Sequence, residues 1–268
     1  MKIALAQISV EQSNFEANIN IANNFASQAS AQNADIILFP EMFTCGFNYK
    51  ANANYLAQNQ SQFIEQIRNI AKQNNIWLCG SVPFIKDKNF PPCNRMLLID
   101  NKGNICASYD KIHLFSPFNE NKHVYAGNNI TVADTPFGKI GMAICYDLRF
   151  PEMWTAMMNA NAQVVLLSAA WPHPRLRHWQ VLTSARAIEN QFFVVAVNQC
   201  GIENFGGAKA EYFGASVAIS PNGDIVSSCE IDTPNQLAIA EINLEEIDSA
   251  RRKIPVQKDR RQDLYTRI

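Results

Sequence analysis

The sequence predicts a single α/β domain built as a layered sandwich, two β-sheets with helices outside them. Three observations carry this. Apolar, β-rich runs alternate with helical patterns along the chain. Several runs are apolar without interruption, as in strands covered on both faces. The connections are of two kinds: tight Gly-containing turns, which make hairpins, and helical stretches, which make crossovers. No Gly/Ser/Pro-rich linker and no repeat divides the chain, so residues 1–268 read as one domain.

The elements follow in order. KIALAQI (2–8) is the first strand. Residues 14–32 follow as a helix, with Ser13 and Glu16 set as a capping box and Ile19, Ala22, Phe25, Ala26 and Ala29 at helical spacing. DIILFP (35–40) is a buried strand. Residues 60–74 place Phe63, Ile64, Ile67, Ile70 and Ala71 on one helix face. IWLCGSV (76–82), RMLLID (95–100) and ICASYD (105–110) are strands, the last two joined by the turn DNKG (100–103). After the turn TPFG (135–138), KIGMAICYD (139–147) is strand-like, and Pro151 suits a helix's first turn. QVVLLSA (163–169), helix 175–190, FFVVAVNQC (192–200), ASVAIS (215–220), the turn SPNG (220–223) and LAIAEI (237–242) complete the sandwich. A last helix spans 244–253, with Asn243 as cap and Glu246 reaching back.

Composition excludes several classes. The chain is 47% hydrophobic and 18% charged, which suits a folded core and not disorder. A formal charge of −1 gives no global field to recruit nucleic acid or an anionic membrane. The basic runs RRK (251–253) and KDRR (258–261) therefore read as a solvated helix face and a pairing tail. No apolar run reaches a membrane span. MKIALAQISVEQ lacks the long apolar core and small-residue cleavage site of a signal peptide, so the expected location is the cytoplasm. The seven cysteines are odd in number and widely spaced, with no C-x-x-C pair. They read as reduced thiols, not as a metal or redox motif.

Three strand ends carry chemistry. In GMAICYDLRFPE (141–152), Cys145 ends a strand where a helix begins. Helix-start N–H groups there are expected to lower the thiol's pKa and to offer donors to an oxyanion. In DIILFPEMFTCGF (35–47), Glu41 follows a buried strand among Phe39, Met42 and Phe43. Poor solvation should raise its pKa, as suits a group that is base and then acid. In SYDKIHLFSPFNE (108–120), Lys111 ends another strand and offers an ammonium.

These blocks, in this order, resemble the signatures of the nitrilase superfamily, the carbon–nitrogen hydrolases. The similarity continues through WPHPRLRHWQVLTSARAIENQ (171–191), YFGASVAISPNGDIV (212–226) and RKIPVQKDRRQDLY (252–265). The resemblance implies a four-layer αββα sandwich and a Glu–Lys–Cys triad of Glu41, Lys111 and Cys145. It also implies a second glutamate, Glu120, that orients Lys111, and two-stage acyl transfer through a thioester. The oxyanion would be held by Lys111 and the N–H of Tyr146. No metal and no organic cofactor is implied. A homodimer is implied, with the 250–268 tail at its interface.

Within the superfamily the blocks look most like bacterial omega-amidases, which cleave the terminal amide of short omega-amido dicarboxylates such as 2-oxoglutaramate. Such a substrate needs a cation for its far carboxylate. Arg149, Arg175 and Arg177 are candidates, Arg149 alternatively pairing with Asp147 or Glu152. Phe43, Tyr146 and Trp171 are candidate pocket walls. Deaminated-glutathione amidases share CYDLRFPE and form the nearest alternative. Carbamoyl-polyamine hydrolysis would want more carboxylates near the site, and the Lys111 and Cys145 blocks look more like amidases than true nitrilases. A papain-like enzyme would need His113, His123, His173 or His178 as partner. A non-catalytic binding protein would have no use for the whole residue set.

Overall fold

The computed structural model describes residues 1–205 and 208–265. The strands and helices are β1 (Lys2–Gln7), α1 (Phe15–Ala31), β2 (Ile36–Leu38), α2 (Tyr49–Gln73), β3 (Trp77–Phe84), β4 (Cys93–Ile99), β5 (Ile105–Asp110), β6 (Val132–Thr135), β7 (Gly138–Ile144), α3 (Pro151–Asn159) and β8 (Val164–Ala169). They continue as α4 (Leu176–Asn190), β9 (Phe193–Asn198), β10 (Cys200–Phe205), β11 (Ala208–Phe213), β12 (Val217–Ile219), β13 (Ile225–Ser228), β14 (Gln236–Glu241), α5 (Glu245–Lys253), α6 (Val256–Asp259) and α7 (Gln262–Tyr265).

Two six-stranded sheets result, ordered β14-β1-β2-β3-β4-β5 and β13-β12-β9-β8-β7-β6. Each has three parallel central strands and antiparallel flanks. The parallel strands are those joined through α1 and α2, or through α3 and α4, because a parallel connection must travel back along the sheet. The antiparallel pairs β4/β5, β6/β7 and β12/β13 carry the predicted turns. Strand alternation then divides the side chains. Ile3, Leu5, Ile36 and Leu38 join the second sheet's residues in one core, whereas Ala4, Ala6 and Ile37 pack under α1 and α2. Met153, Trp154 and Trp179 of α3 and α4 cover the other side. The architecture is the expected αββα sandwich.

Several boundaries differ from expectation. Ser13 does not cap α1. It sits at φ 61° with its N–H on the Cys45 carbonyl at 2.8 Å, so Asn14 becomes the cap and accepts from Ala17 at 3.2 Å. Helix α2 starts at Tyr49, well before the apolar stripe, with Asn48 as its cap. Asn243 does accept from the Glu245 N–H at 3.1 Å. Strands β6, β10, β11 and β13 were not predicted. Strand β13 is an exposed edge strand, and β10 and β11 pair only with each other, as a ribbon outside both sheets.

Candidate active site

The two sheets meet at the C-terminal end of β2, where the chain is pinned from both sides. The Glu41 N–H bonds the Ala169 carbonyl at 3.2 Å, and its own carbonyl accepts from Gln199 Nε2 at 2.8 Å. The next N–H groups return to the first sheet, Met42 to Ser81 Oγ at 3.0 Å and Phe43 to the Ser81 carbonyl at 3.2 Å. The carboxylate is thereby aimed along the seam between the sheets.

Lys111 arrives from the end of β5. Its N–H bonds the Asn94 carbonyl, and its carbonyl accepts from Gly127, both at 2.9 Å. Its Nζ lies 2.7 Å from Glu41 Oε1 and 2.8 and 3.0 Å from the two oxygens of Glu120. Glu120 is held in turn by the Phe115 N–H at 2.6 Å. Asn94 Nδ2 donates to Glu41 Oε1 at 2.8 Å. Glu41, Lys111 and Glu120 are each only 1% exposed.

Cys145 opens a 3-10 helix, Cys145–Arg149, directly after β7. Its φ of 47° is unusual for a side-chain-bearing residue and marks a sharp turn held by its surroundings. Asp147, fully buried, supplies much of that hold. Its oxygens accept from the Ile144 N–H at 2.8 Å, the Tyr109 hydroxyl at 2.7 Å and the His113 N–H at 3.2 Å, and one lies 2.7 Å from His113 Nδ1. The first N–H groups of any helix lack an intrahelical acceptor, which leaves that of Tyr146 available beside the sulfur. Cys145 Sγ is 3.9 Å from the Ala170 carbonyl, and Glu41 is near enough to raise its pKa.

The electrostatics depart from expectation at the thiol. Burial, reinforced by Glu41, pushes Cys145 well above the ordinary thiol range, and Lys111 does not offset it. The helix-start groups therefore do not make a resting thiolate. Glu41 is raised chiefly by burial and by Glu120, against the pull of Lys111. Burial opposes the charge on Lys111, yet Glu120 and Glu41 together lift its pKa well above the usual lysine value. The set can thus pass a proton from a neutral thiol to a carboxylate beside a fixed ammonium.

A small cavity, partly open to solvent, contains Glu41, Lys111, Glu120 and Cys145 in its lining. Tyr146, Trp171, Arg149 and Arg175 line it as well. Phe43 does not: its ring is fully buried in the helix-side core, stacked on Phe39 at 4.7 Å, because that strand-end turn points it away from the seam. Arg177 is exposed and outside the lining. Arg149 pairs with neither Asp147 nor Glu152. It lies over the Trp171 ring at 4.6 Å, with Nη2 3.2 Å from His178 Nδ1. Trp171 Nε1 donates to the Cys145 carbonyl at 3.2 Å.

None of the four histidines is in the cavity lining. His113 stacks on Phe150 at 3.7 Å, and His173 bonds Asp232 at 2.8 Å. Sequence reasoning missed Asn94, Asp147 and the cavity aromatics Tyr49, Phe115 and Tyr212. Asp147, Phe115 and Tyr212 lay in the noted blocks GMAICYDLRFPE, SYDKIHLFSPFNE and YFGASVAISPNGDIV, where nothing local marked them as inward-facing, whereas Asn94 and Tyr49 lay in none. Among the described residues, no group of three or more His, Cys, Asp or Glu could hold a metal, and no helix is long and apolar enough to cross a membrane.

Comparison with known proteins gives consistent matches. Residues 2–252 match the family described as carbon-nitrogen hydrolase. A deaminated glutathione amidase of Dictyostelium discoideum is 34% identical, over 98% of this chain and 95% of that protein. A 2-oxoglutaramate amidase of Bacillus subtilis is 33% identical, over 98% of each. Among solved structures, a mutant of the amidase from Nesterenkonia sp. AN1 superposes with a TM-score of 0.85 at 26% identity, covering 99% of this chain and 95% of that one. That structure carries the acetamide moiety of fluoroacetamide covalently added at its active-site cysteine.

Proposed function

The chain belongs to the carbon–nitrogen hydrolase family, and from that premise we propose that it is an omega-amidase, cleaving the terminal amide of short omega-amido dicarboxylates such as 2-oxoglutaramate and succinamate. One observation carries this reading. A single cavity presents the Cys145 cluster and, in the same lining, the two arginines Arg149 and Arg175. An amide at one end and a carboxylate at the other would meet both.

In the proposed reaction Glu41 takes the thiol proton as Cys145 Sγ bonds the amide carbon. Negative charge collects on the former carbonyl oxygen, where Lys111 and the Tyr146 N–H stabilise it. Glu41 returns the proton to the nitrogen, the C–N bond breaks and ammonia leaves a thioester. Water then gives a proton to Glu41 and its oxygen to the carbonyl carbon, the C–S bond breaks, and Glu41 returns the proton to the departing sulfur, which restores the thiol and the carboxylate. Glu120 orients Lys111 throughout, and no metal or organic cofactor takes part. The close Lys111–Glu41 and Lys111–Glu120 contacts support these roles. Arg175 is the better carboxylate partner, because Arg149 is already engaged with Trp171 and His178. Tyr146 and Trp171 form the apolar sides between the two ends.

Ammonia release from succinamate, 2-oxoglutaramate, deaminated glutathione and glutamine tests the proposal, with Cys145→Ala alongside. Preference for the short dicarboxylate monoamides, abolished in the variant, is expected. Preference for deaminated glutathione would keep the chemistry and replace the substrate. Ammonia release that survives in Cys145→Ala would remove the nucleophile from the scheme.

The same reading includes a cytoplasmic enzyme acting as a homodimer, with the 250–268 tail at the interface. Residues 266–268 of that tail lie outside the described residues. The exposed Ile254 and Tyr265 support an interface there. Light scattering of the purified protein should give twice the 30.1 kDa chain mass, and removal of the tail should return it to one.

A further inference from the structure

Strands β10 and β11 pair in register, Glu203 opposite Ala210 and Gly201 opposite Tyr212. One face of this ribbon is wet: Ile202, Lys209 and Glu211 are exposed. The other is covered: Ala210 and Tyr212 are 3% exposed and Glu203 only 2%. A glutamate on the covered face has no obvious use in folding, since an apolar residue would bury at lower cost. It also has specific contacts. The Tyr212 hydroxyl donates to Glu203 Oε2 at 3.2 Å, and the nearby Phe47 N–H favours the charged form of the same carboxyl group without outweighing burial. Gly46, at φ 63°, leaves room for it, because a Cβ there would stand 1.6 Å from Glu203 Oε1. Phe47 and Tyr212 both line the Cys145 cavity. Tyr212 also forms a β-bridge with Pro172, beside Trp171 and Arg175.

Glu203 is therefore the buried link between two walls of the cavity: the turn after β2, which carries Glu41, and the ribbon that abuts the Trp171–Arg175 segment. Its Oε1 has no hydrogen-bond partner among the described residues. A charged carboxylate with one oxygen unsolvated and unpaired is strongly disfavoured, whereas a protonated one can carry its hydrogen on that oxygen. The titratable groups that face it are Tyr212 from β11, Cys45 from the turn after β2 and, at longer range, Glu41. No cation is among them.

We infer that Glu203 is a positioning residue that, in its protonated form, holds Tyr212 and the Gly46–Phe47 turn together and so sets the shape of the substrate cavity. The inference rests on the amidase reading of that cavity. It adds a titration which the Glu41–Lys111–Cys145 chemistry does not supply. Burial pushes the Glu203 carboxyl up to about 8, so the proton leaves as pH rises just past neutrality and an unpaired anion then sits behind the wall.

The experiment compares wild type with Glu203→Gln and Glu203→Ala from pH 6 to 10 on the best amide of the panel. Glutamine keeps a neutral hydrogen-bonding side chain. Its kcat/KM should equal wild type near pH 6.5 and exceed it increasingly above pH 8. Alanine loses the Tyr212 hydrogen bond and should raise KM by roughly tenfold with a smaller change in kcat, the size expected for one hydrogen bond. A Gln-to-wild-type ratio that stays flat with pH would overturn the inference, as would an alanine variant with wild-type KM. Alkylation of Cys145 by iodoacetamide, followed at the peptide level, reads the same wall without an amide substrate. The wild-type and Gln rates should coincide below pH 7 and separate above pH 8. If no amide is cleaved, the omega-amidase reading fails, while separated alkylation profiles would uphold the role of Glu203 and coincident ones would end it.

Discussion

At the residue scale, the chemistry turns on two groups pushed the same way by burial. Cys145 and Glu41 both have raised pKa values, so the thiol keeps its proton more tightly than usual and the Glu41 carboxyl gains one more readily. As the proposed base, Glu41 must be ionised to act, and its ionised fraction falls as pH drops through its folded pKa. The acid limb of kcat/KM should therefore lie above the ordinary glutamate value of 4.5. Glu41→Gln should abolish that limb and lower kcat by about 10²- to 10⁴-fold. A wild-type limb at or below 4.5 would mean that Lys111 overrides burial. The convergence of Glu41, Lys111 and Cys145 on one cavity was legible because each stands at a strand end inside a distinctive block. Asn94 was not: it sits within β4, and its bond to Glu41 joins residues 53 positions apart. Phe43 misled because adjacency to Glu41 in sequence says nothing about which side of a turn a ring faces.

At the level of elements, the decisive piece is the short 3-10 helix after β7. Sequence pattern indicated the strand and the helix at Pro151, but not what bends the chain between them. Asp147 does this by tying the Ile144 N–H, Tyr109 and His113 to one buried carboxylate. Asp147→Ala leaves those donors unpaired in the core and relaxes the strained Cys145 turn. Stability should fall by roughly 1 to 3 kcal/mol for each buried donor left without a partner. In material that remains folded, kcat should fall more than KM changes, because the sulfur is displaced while the cavity walls persist. Denaturant unfolding and steady-state kinetics on the same preparation check both. An unchanged kcat would show that the turn is self-supporting. The ribbon of β10 and β11 was illegible for a related reason. Its covered face carries Glu203, Ala210 and Tyr212, so the apolar alternation that reveals a strand is missing.

Across the whole molecule, the sandwich was readable because its rules are global. Parallel strands need helical crossovers, inner and outer faces alternate, and a strand buried on both sides must be apolar throughout. Register and seam contacts were not readable, since Ser168 Oγ bonding the Phe39 carbonyl at 2.8 Å joins residues 129 positions apart. The buried seam also dictates how stability should depend on pH. Folding raises Cys93 and Cys229 to about 12 and Cys200 to about 11, from an ordinary value of 9, and Cys45 and Cys145 move up as well. Each thiol thus holds its proton more tightly folded than unfolded. Its contribution is complete below about pH 9 and is lost as pH rises towards the folded value. Glu203 acts earlier by the same sign, over the window from 4.5 to about 8. Thermal unfolding under reducing conditions should therefore show a midpoint that declines from pH 6 to 8 and falls faster from 9 to 10. Glu203→Gln should make the first decline shallower, leaving the share due to the raised Glu41, and should not change the second. A wild-type midpoint flat from pH 7 to 10 would mean that the thiols and Glu203 reach solvent in the folded state, and that the two sheets do not close over the site as tightly as their packing requires.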